Sequence, residues 1–415
     1  MIESMANWFL SLTWFPQMEL ASVKLLSVLL VGAGLFAFIA VNAIVLVYVE
    51  RKVSAFMQVR LGPMRVGPYG TLQTVADALK LLLKEDIIPT LADSILFRVG
   101  PFIILISAIV AFAAIPFSPT VTAADMSIGL YYIVSISSIV VVGIVMSGWA
   151  SNNKWSLYGA MRSAAQIVSY EIPVGLTLLA VVAMAGSLNM NEIIIAQGGS
   201  SNLFHWIPLP LPNWYMFNNP FLFIAFFMYI IGATAEINRT PFDLPESESE
   251  LVAGFMTEYS GIRWALFFLS EYANFTLVAF LTAVVFMGGW QSPFETIFAA
   301  KTSLLVLLAL ALAWTGYVKT KANRLSIYPL AIIGLSTIAA WLFPGFAIWI
   351  TEPGLFWIAM KVLSLIFLLM WFRWTFPRLR VDQLMYVSWK VLMPIALFNL
   401  IGVATWMWLT GEIQF

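Results

Sequence analysis

Long apolar runs recur along the chain at residues 25–48, 98–117, 128–149, 170–188, 219–235, 264–288, 302–318, 328–350, 354–374 and 390–410. Each approaches the roughly 20 residues a helix needs to cross a hydrocarbon core, so the pattern predicts ten transmembrane helices. The runs are continuous and rich in Leu, Ile, Ala and Phe, without the alternation of a membrane β-barrel. One segment has a different period. In Thr71–Lys84, Leu72, Val75, Leu79 and Leu82 share one face, and Gln73, Asp77, Lys80 and Lys84 share the other. This pattern marks an amphipathic helix lying along the interface. It serves either as a connector between the first two spans or as a doorway for a lipid-soluble ligand arriving sideways from the bilayer.

Basic residues fix the expected orientation. Eighteen of the 21 lysines and arginines fall in the loops after spans 1, 3, 5, 7 and 9. The positive-inside rule then places those loops in the cytoplasm and both termini on the periplasmic side. No signal peptide is expected, because residues 1–24 carry one late lysine and no small-residue cleavage site. The reading is an all-α polytopic membrane protein with its basic loops facing the cytoplasm. It forms a single integral membrane domain over 1–415, with a cytoplasmic loop at 50–98 that contains the interfacial helix.

Composition agrees: 61% of residues are hydrophobic and mean hydropathy is +0.91. A formal net charge of zero gives no reason to expect a nucleic-acid partner. The chain has no cysteine, so it offers no thiolate for an iron–sulfur cluster. Its one histidine, His205, falls in an expected outer loop, which argues against a histidine-held metal or haem.

Only 10% of residues are charged, yet residues 236–258 hold Glu236, Asp243, Glu246, Glu248, Glu250 and Glu258 beside Arg239. This acidic loop, 236–263, lies between two spans on the expected cytoplasmic side. Clustered carboxylates raise one another's pKa, which suits them to hold and pass protons near neutral pH. Other ionisable groups fall in or beside spans. Glu50, Arg51, Glu171 and Glu236 are expected near the cytoplasmic interface, with Glu171 opening the fourth span. Glu271 and Lys361 lie deeper, where a water-filled path or a buried partner is required. The stretch Gly148–Pro173 reads as a polar loop leading into the fourth span.

Several of these segments together resemble one family. ERKVSAFMQVRLGPMRVGPYGTLQTVADALKLLLKED, GWASNNKW, MRSAAQIVSYEIP, AEINRTPFDLPESESELVAGFMTEYSG, SEY and PRLRVDQLMYVSWKVLMP are similar, in order and spacing, to the signature runs of the H subunit of bacterial respiratory complex I, the proton-pumping NADH-quinone oxidoreductase. The resemblance implies a membrane subunit that forms much of a quinone chamber and couples quinone reduction to proton translocation. It implies that FMN and the iron–sulfur clusters reside in partner subunits, with quinone as substrate. The expected partners are the quinone-site and terminal iron–sulfur peripheral subunits and the antiporter-like membrane subunits.

By the same resemblance, Glu50, Arg51, Asp77, Arg239, Asp243, Glu246, Glu248, Glu250 and Glu258 line or flank the chamber. Glu171, Glu236 and Glu271 begin a chain of acids, and the buried Lys361 joins them as a proton-path candidate. Arg378 and Arg380 match a further basic loop that suits a structural role. Residues 296–351 depart from the eight-helix family pattern as an inserted helix pair. A hydrogenase membrane anchor and a free-standing ion-coupled transporter are the alternatives at this stage.

Overall fold

The computed structural model describes residues 20–204, 207–244, 252–294, 352 and 354–411. The expected spans at 302–318 and 328–350, together with His205, Glu246, Glu248 and Glu250, lie outside them. The helices in chain order are α1 (Leu20–Met57), α2 (Gln73–Leu83), α3 (Ser94–Ala111), α4 (Gly129–Ala150), α5 (Lys154–Ala185), α6 (Met190–Ala196), α7 (Tyr215–Asn218), α8 (Pro220–Glu236), α9 (Gly261–Phe286), α10 (Leu355–Thr375), α11 (Val381–Tyr386) and α12 (Met393–Thr410). A π turn over Val387–Leu392 joins α11 to α12 as one continuous rod. Among the described residues seven helices are long and apolar enough to cross a membrane, and α8 is a shorter apolar helix. Those residues do not establish the count of ten.

Two expected boundaries move because charged and small polar residues are buried rather than solvated. The first span does not end near residue 48. α1 continues through Glu50, Arg51 and Lys52 to Met57, since Glu50 is buried against ion-pair partners. The stretch Gly148–Pro173 is not a loop either. α4 runs to Ala150, only Ser151–Asn153 form a turn, and α5 spans 32 residues from Lys154. The Asn153 side chain caps α5 by accepting from the backbone N–H of Trp155 at 2.9 Å. The polar residues that suggested a loop are a packing seam: Ser156, Ser163, Gln166 and Ser169 are all buried. Gln166 donates to the carbonyls of Ala235 and Phe242 at 2.8 and 2.7 Å, so α5 is tied to the chain that leaves α8. Glu171 therefore sits in mid-helix rather than at the start of a span.

A second departure from an all-helical reading is a small antiparallel hairpin, β1 (Ser200–Leu203) and β2 (Ile207–Pro212), in register Ser200↔Pro212 and Ser201↔Leu211. Pro208, Pro210 and Pro212 in β2 can be accommodated because the sheet has two strands and each has a free edge.

The core is built around α9, in which every residue from Phe275 to Phe286 is buried. α1, α3, α8 and α10 pack around it. Close approach is used where α5 meets the short helical turn Gly254–Met256. A Cβ on Gly159 would lie 2.7 Å from the Gly254 Cα and 3.0 Å from the Phe255 nitrogen, both backbone atoms that cannot rotate away. Gly159→Ala is therefore expected to cost about 1–3 kcal/mol through overpacking. The loss should register as a lower thermal unfolding temperature of the purified protein.

Candidate functional site

Four elements bring charged side chains to one place at the end of the bundle where α1, α8 and α10 meet α9. α1 contributes Glu50, α9 contributes Glu271 and Tyr272, and α10 contributes Arg373 in its last turn. Arg239 comes from the turn after α8. Asn238 adopts a left-handed conformation there (φ 51°), which asparagine tolerates better than most residues. Its side chain is held by Ser163 and Gln166, both at 3.1 Å. The chain thus reverses, and Arg239 enters the bundle.

Arg239 bridges two acids: Nη1 lies 2.9 Å from Glu50 Oε1 and Nε lies 2.9 Å from Glu271 Oε1. Its guanidinium also covers the rings of Tyr272 and Phe275, at 4.8 and 5.2 Å from their centroids. Glu50 further accepts from the Tyr272 hydroxyl at 2.7 Å and pairs with Arg373. Two carboxylates thus face two guanidiniums, so the cluster is close to neutral and each ion's desolvation is offset by a partner. An open cavity of about 370 Å³ borders the cluster. Its polar wall is Glu50, Arg51, Arg239, Glu271 and Arg373, and Trp264, Phe268 and Trp374 supply apolar surface. The lining is therefore mixed, charged and aromatic in comparable measure.

Two smaller cavities continue inward. One of about 40 Å³ is lined by Glu271, Ser270, Asn274, Asn238 and Glu236. The next, about 60 Å³, contains Glu236, Asn274, Ser137, Ser138 and Glu171. Glu271 belongs to both the large cavity and the first small one, and Glu236 to both small ones. Ser138 donates to Glu171. Each small cavity exceeds the ~10–15 Å³ needed to hold one water.

The remaining expected site residues separate into groups. Arg51 lies on the rim and donates to Asp77 at 2.5 Å, which fastens α2 to α1. Partial burial pushes the Asp77 carboxyl up, but hydrogen bonds from Arg51 and Gln73 outweigh it and the net shift is downward. Asp243 is close enough to Glu271 to interact electrostatically. Glu258 does not reach the cavity; it accepts from Asn153 at 2.6 Å and steadies the turn between α4 and α5. Arg378 donates to the Leu244 carbonyl at 3.2 Å.

Lys361 lies apart from the acids and lines none of the three cavities. Its ammonium donates to the carbonyls of Met287, Gly289 and Gln291 at 2.6, 2.9 and 2.8 Å, over the Trp214 ring. Its buried partner is therefore the backbone just beyond α9, and it is not paired with Glu271. Arg373, Tyr272 and Asn274 were not singled out from the sequence. Arg373 reads there as one more basic residue beyond a span, although Tyr272 follows Glu271 directly in the SEY run.

The model of the NADH dehydrogenase family matches residues 30–404. The H subunit of NADH-quinone oxidoreductase from Chlorobaculum tepidum is 45% identical over 397 residues, covering 95% of this chain and 94% of that protein. The chain belongs to the H-subunit family of NADH-quinone oxidoreductases. The H subunit from Bacillus thuringiensis is 45% identical over 352 residues, covering 85% of each chain. That from Chlorobium luteolum is 44% identical over 405 residues, 97% of this chain and 94% of its own length. As a member of this family, the chain is a multi-pass membrane subunit of a bacterial NADH-quinone oxidoreductase and associates with the other subunits of that complex. With no cysteine in the chain and, among the described residues, no group of three or more His, Cys, Asp or Glu placed to hold a metal, its donors do not fit an iron–sulfur cluster.

Proposed function

We propose that the 370 Å³ cavity is part of the quinone chamber of the complex and that this subunit couples quinone reduction there to proton translocation. The observation that carries the reading is the paired Glu50–Arg239–Glu271 cluster, which borders the cavity and opens inward onto Glu236 and Glu171. Quinone accepts two electrons and two protons to become quinol, with the electrons supplied by cofactors in partner subunits. FMN and the iron–sulfur clusters belong to those partners. Electron arrival places negative charge in a poorly hydrated site, where Coulomb interactions are several-fold stronger than in water. Arg239 and Arg373 stabilise that charge, and Glu50 and Glu271, released from part of their pairing, change protonation in response. The displaced proton equilibrium then passes inward through Glu236 to Glu171.

Arg51 and Asp77 flank the mouth of the chamber. Asp243 lies on the side turned to the peripheral subunits. The basic loops and the acidic loop are cytoplasmic, with both termini on the periplasmic side.

Glu271→Gln keeps a group that can bond to Arg239 but removes the titratable carboxyl. In membranes where a native gel shows an assembled complex, it is expected to lower NADH-driven proton uptake and quinone reduction by roughly tenfold or more, the scale of a lost proton-transfer group. The joint change Glu246→Gln with Glu248→Gln is expected to lower quinone reduction as well. Wild-type rates and wild-type proton uptake in both variants would reject the proposed coupling role.

A further inference from the structure

The two inner cavities share five lining residues. Val140, Ile167 and Ile237 form an apolar collar, and Glu236 and Asn274 are the two polar members. Asn274 follows Glu271 by three positions on α9, so the two side chains share a helix face. Among the described residues neither the Asn274 amide nor the Glu236 carboxyl makes a hydrogen bond to another side chain or to the backbone. Asn274 therefore presents an uncommitted acceptor and two uncommitted donors at the narrowing between cavities, each large enough for water. An amide placed only to fill space in an apolar collar would carry an uncompensated polar cost that a leucine at the same position would avoid.

We propose that Asn274 is a positioning residue for proton transfer: it holds water at the constriction so that Glu236 exchanges protons with the chamber side and with the Glu171 side in turn. The inference rests on the proton-coupling role proposed above. The amide itself does not titrate. A cavity water on the Glu271 side gives a proton to the Glu236 carboxylate and recovers one from the chamber. The protonated Glu236 passes its proton to water on the Glu171 side, so each O–H bond that breaks is matched by one that forms. The Asn274 carbonyl accepts from, and its NH₂ group donates to, the waters on either side. The apolar collar supplies no other group to order them.

The test compares Asn274→Leu, Asn274→Ser and Glu236→Gln in native membranes. NADH oxidation by an artificial acceptor that bypasses quinone reports assembly, and protons translocated per NADH are recorded across a pH series. Asn274→Leu is expected to lower proton translocation by roughly tenfold or more, the scale of a disabled proton-transfer step, and to move the pH profile. Asn274→Ser, smaller but still hydrogen-bonding, should recover much of both. Equal impairment in Leu and Ser variants with an unmoved pH profile would overturn the inference in favour of a packing role. Normal pumping in both, while Glu236→Gln stops it, would overturn the inference but leave the acid path standing. Normal pumping in all three variants would overturn the underlying coupling role as well.

Discussion

Arg239→Met is expected to destabilise the assembled complex by about 3–5 kcal/mol, the range for removing one partner from a buried ion pair. Arg239 contacts Glu50 and Glu271 together. After its loss Glu50 keeps Arg373 and Tyr272, but Glu271 has no other ion pair among the described residues. A buried carboxylate without a partner is the costly state, and it is what methionine creates. Lysine is not an adequate replacement, because one ammonium lacks the planar fork that reaches two carboxylates and the flat face that lies over Tyr272 and Phe275. Adding Glu271→Gln to Arg239→Met removes the orphaned charge, so the double variant should be more stable than Arg239→Met alone. That non-additivity is the signature of direct coupling. Thermal inactivation of the purified complex measures stability, and quinone reduction should remain low in both variants. Equal stability of Arg239→Met and wild type would mean that the cluster is solvated and that the chamber is wetter than its geometry implies.

Lys361→Met is expected to cost a similar amount for a different reason. Peptide carbonyls in the turn that leaves a helix have no ladder partner and need one when they are buried. Here the carbonyls of Met287, Gly289 and Gln291, in the chain just beyond α9, converge on one ammonium, a cation placed where the helix dipole favours it. Methionine would fill the volume and leave those carbonyls buried. Each unsatisfied group costs about 1–3 kcal/mol, and the sum is reduced where the backbone relaxes or water enters. Yield of assembled complex should fall sharply. In the fraction that assembles, the KM for quinone and the protons moved per NADH should match wild type, because Lys361 lines none of the cavities. A fully assembled variant that no longer pumps would instead put Lys361 in the proton path.

The sequence reveals the large features because the bilayer imposes strong rules on them. Among the described residues apolar length locates the spans, and Arg239 in the turn after α8 is the member of the charged segment that the structure brings to Glu50 and Glu271. Glu50, Arg239 and Glu271 are legible for the same reason: a charge near a long apolar run has to be explained. What escapes is set by three-dimensional context. Polar residues in α5 look like a loop until the structure shows Gln166 spending its amide on the backbone of a neighbouring chain segment. Arg373 ends a span as many arginines do, and only the approach of α10 to α1 makes it a partner of Glu50. Asn274 is one neutral amide in a helix, with no periodicity or charge to single it out. Lys361 shows the reverse case. Its depth is evident from sequence, but the identity of its partners depends on how the end of α9 folds back.

The 38 residues of α1 form an unbroken rod, about 57 Å long at 1.5 Å per residue. That is nearly twice the roughly 30 Å of a hydrocarbon core. Glu50 lies seven residues from the end of this rod, about 10 Å along its axis. The same helix thus exposes apolar side chains such as Leu25, Leu29 and Val41 along one stretch and holds the central carboxylate on another. Tilting it to match a thinner or thicker bilayer displaces Glu50 relative to Arg239, which is carried by a different helix. Quinone reduction by the complex reconstituted in bilayers of different acyl-chain length is therefore expected to vary with thickness, through leverage on Glu50 rather than through a lipid bound at the chamber.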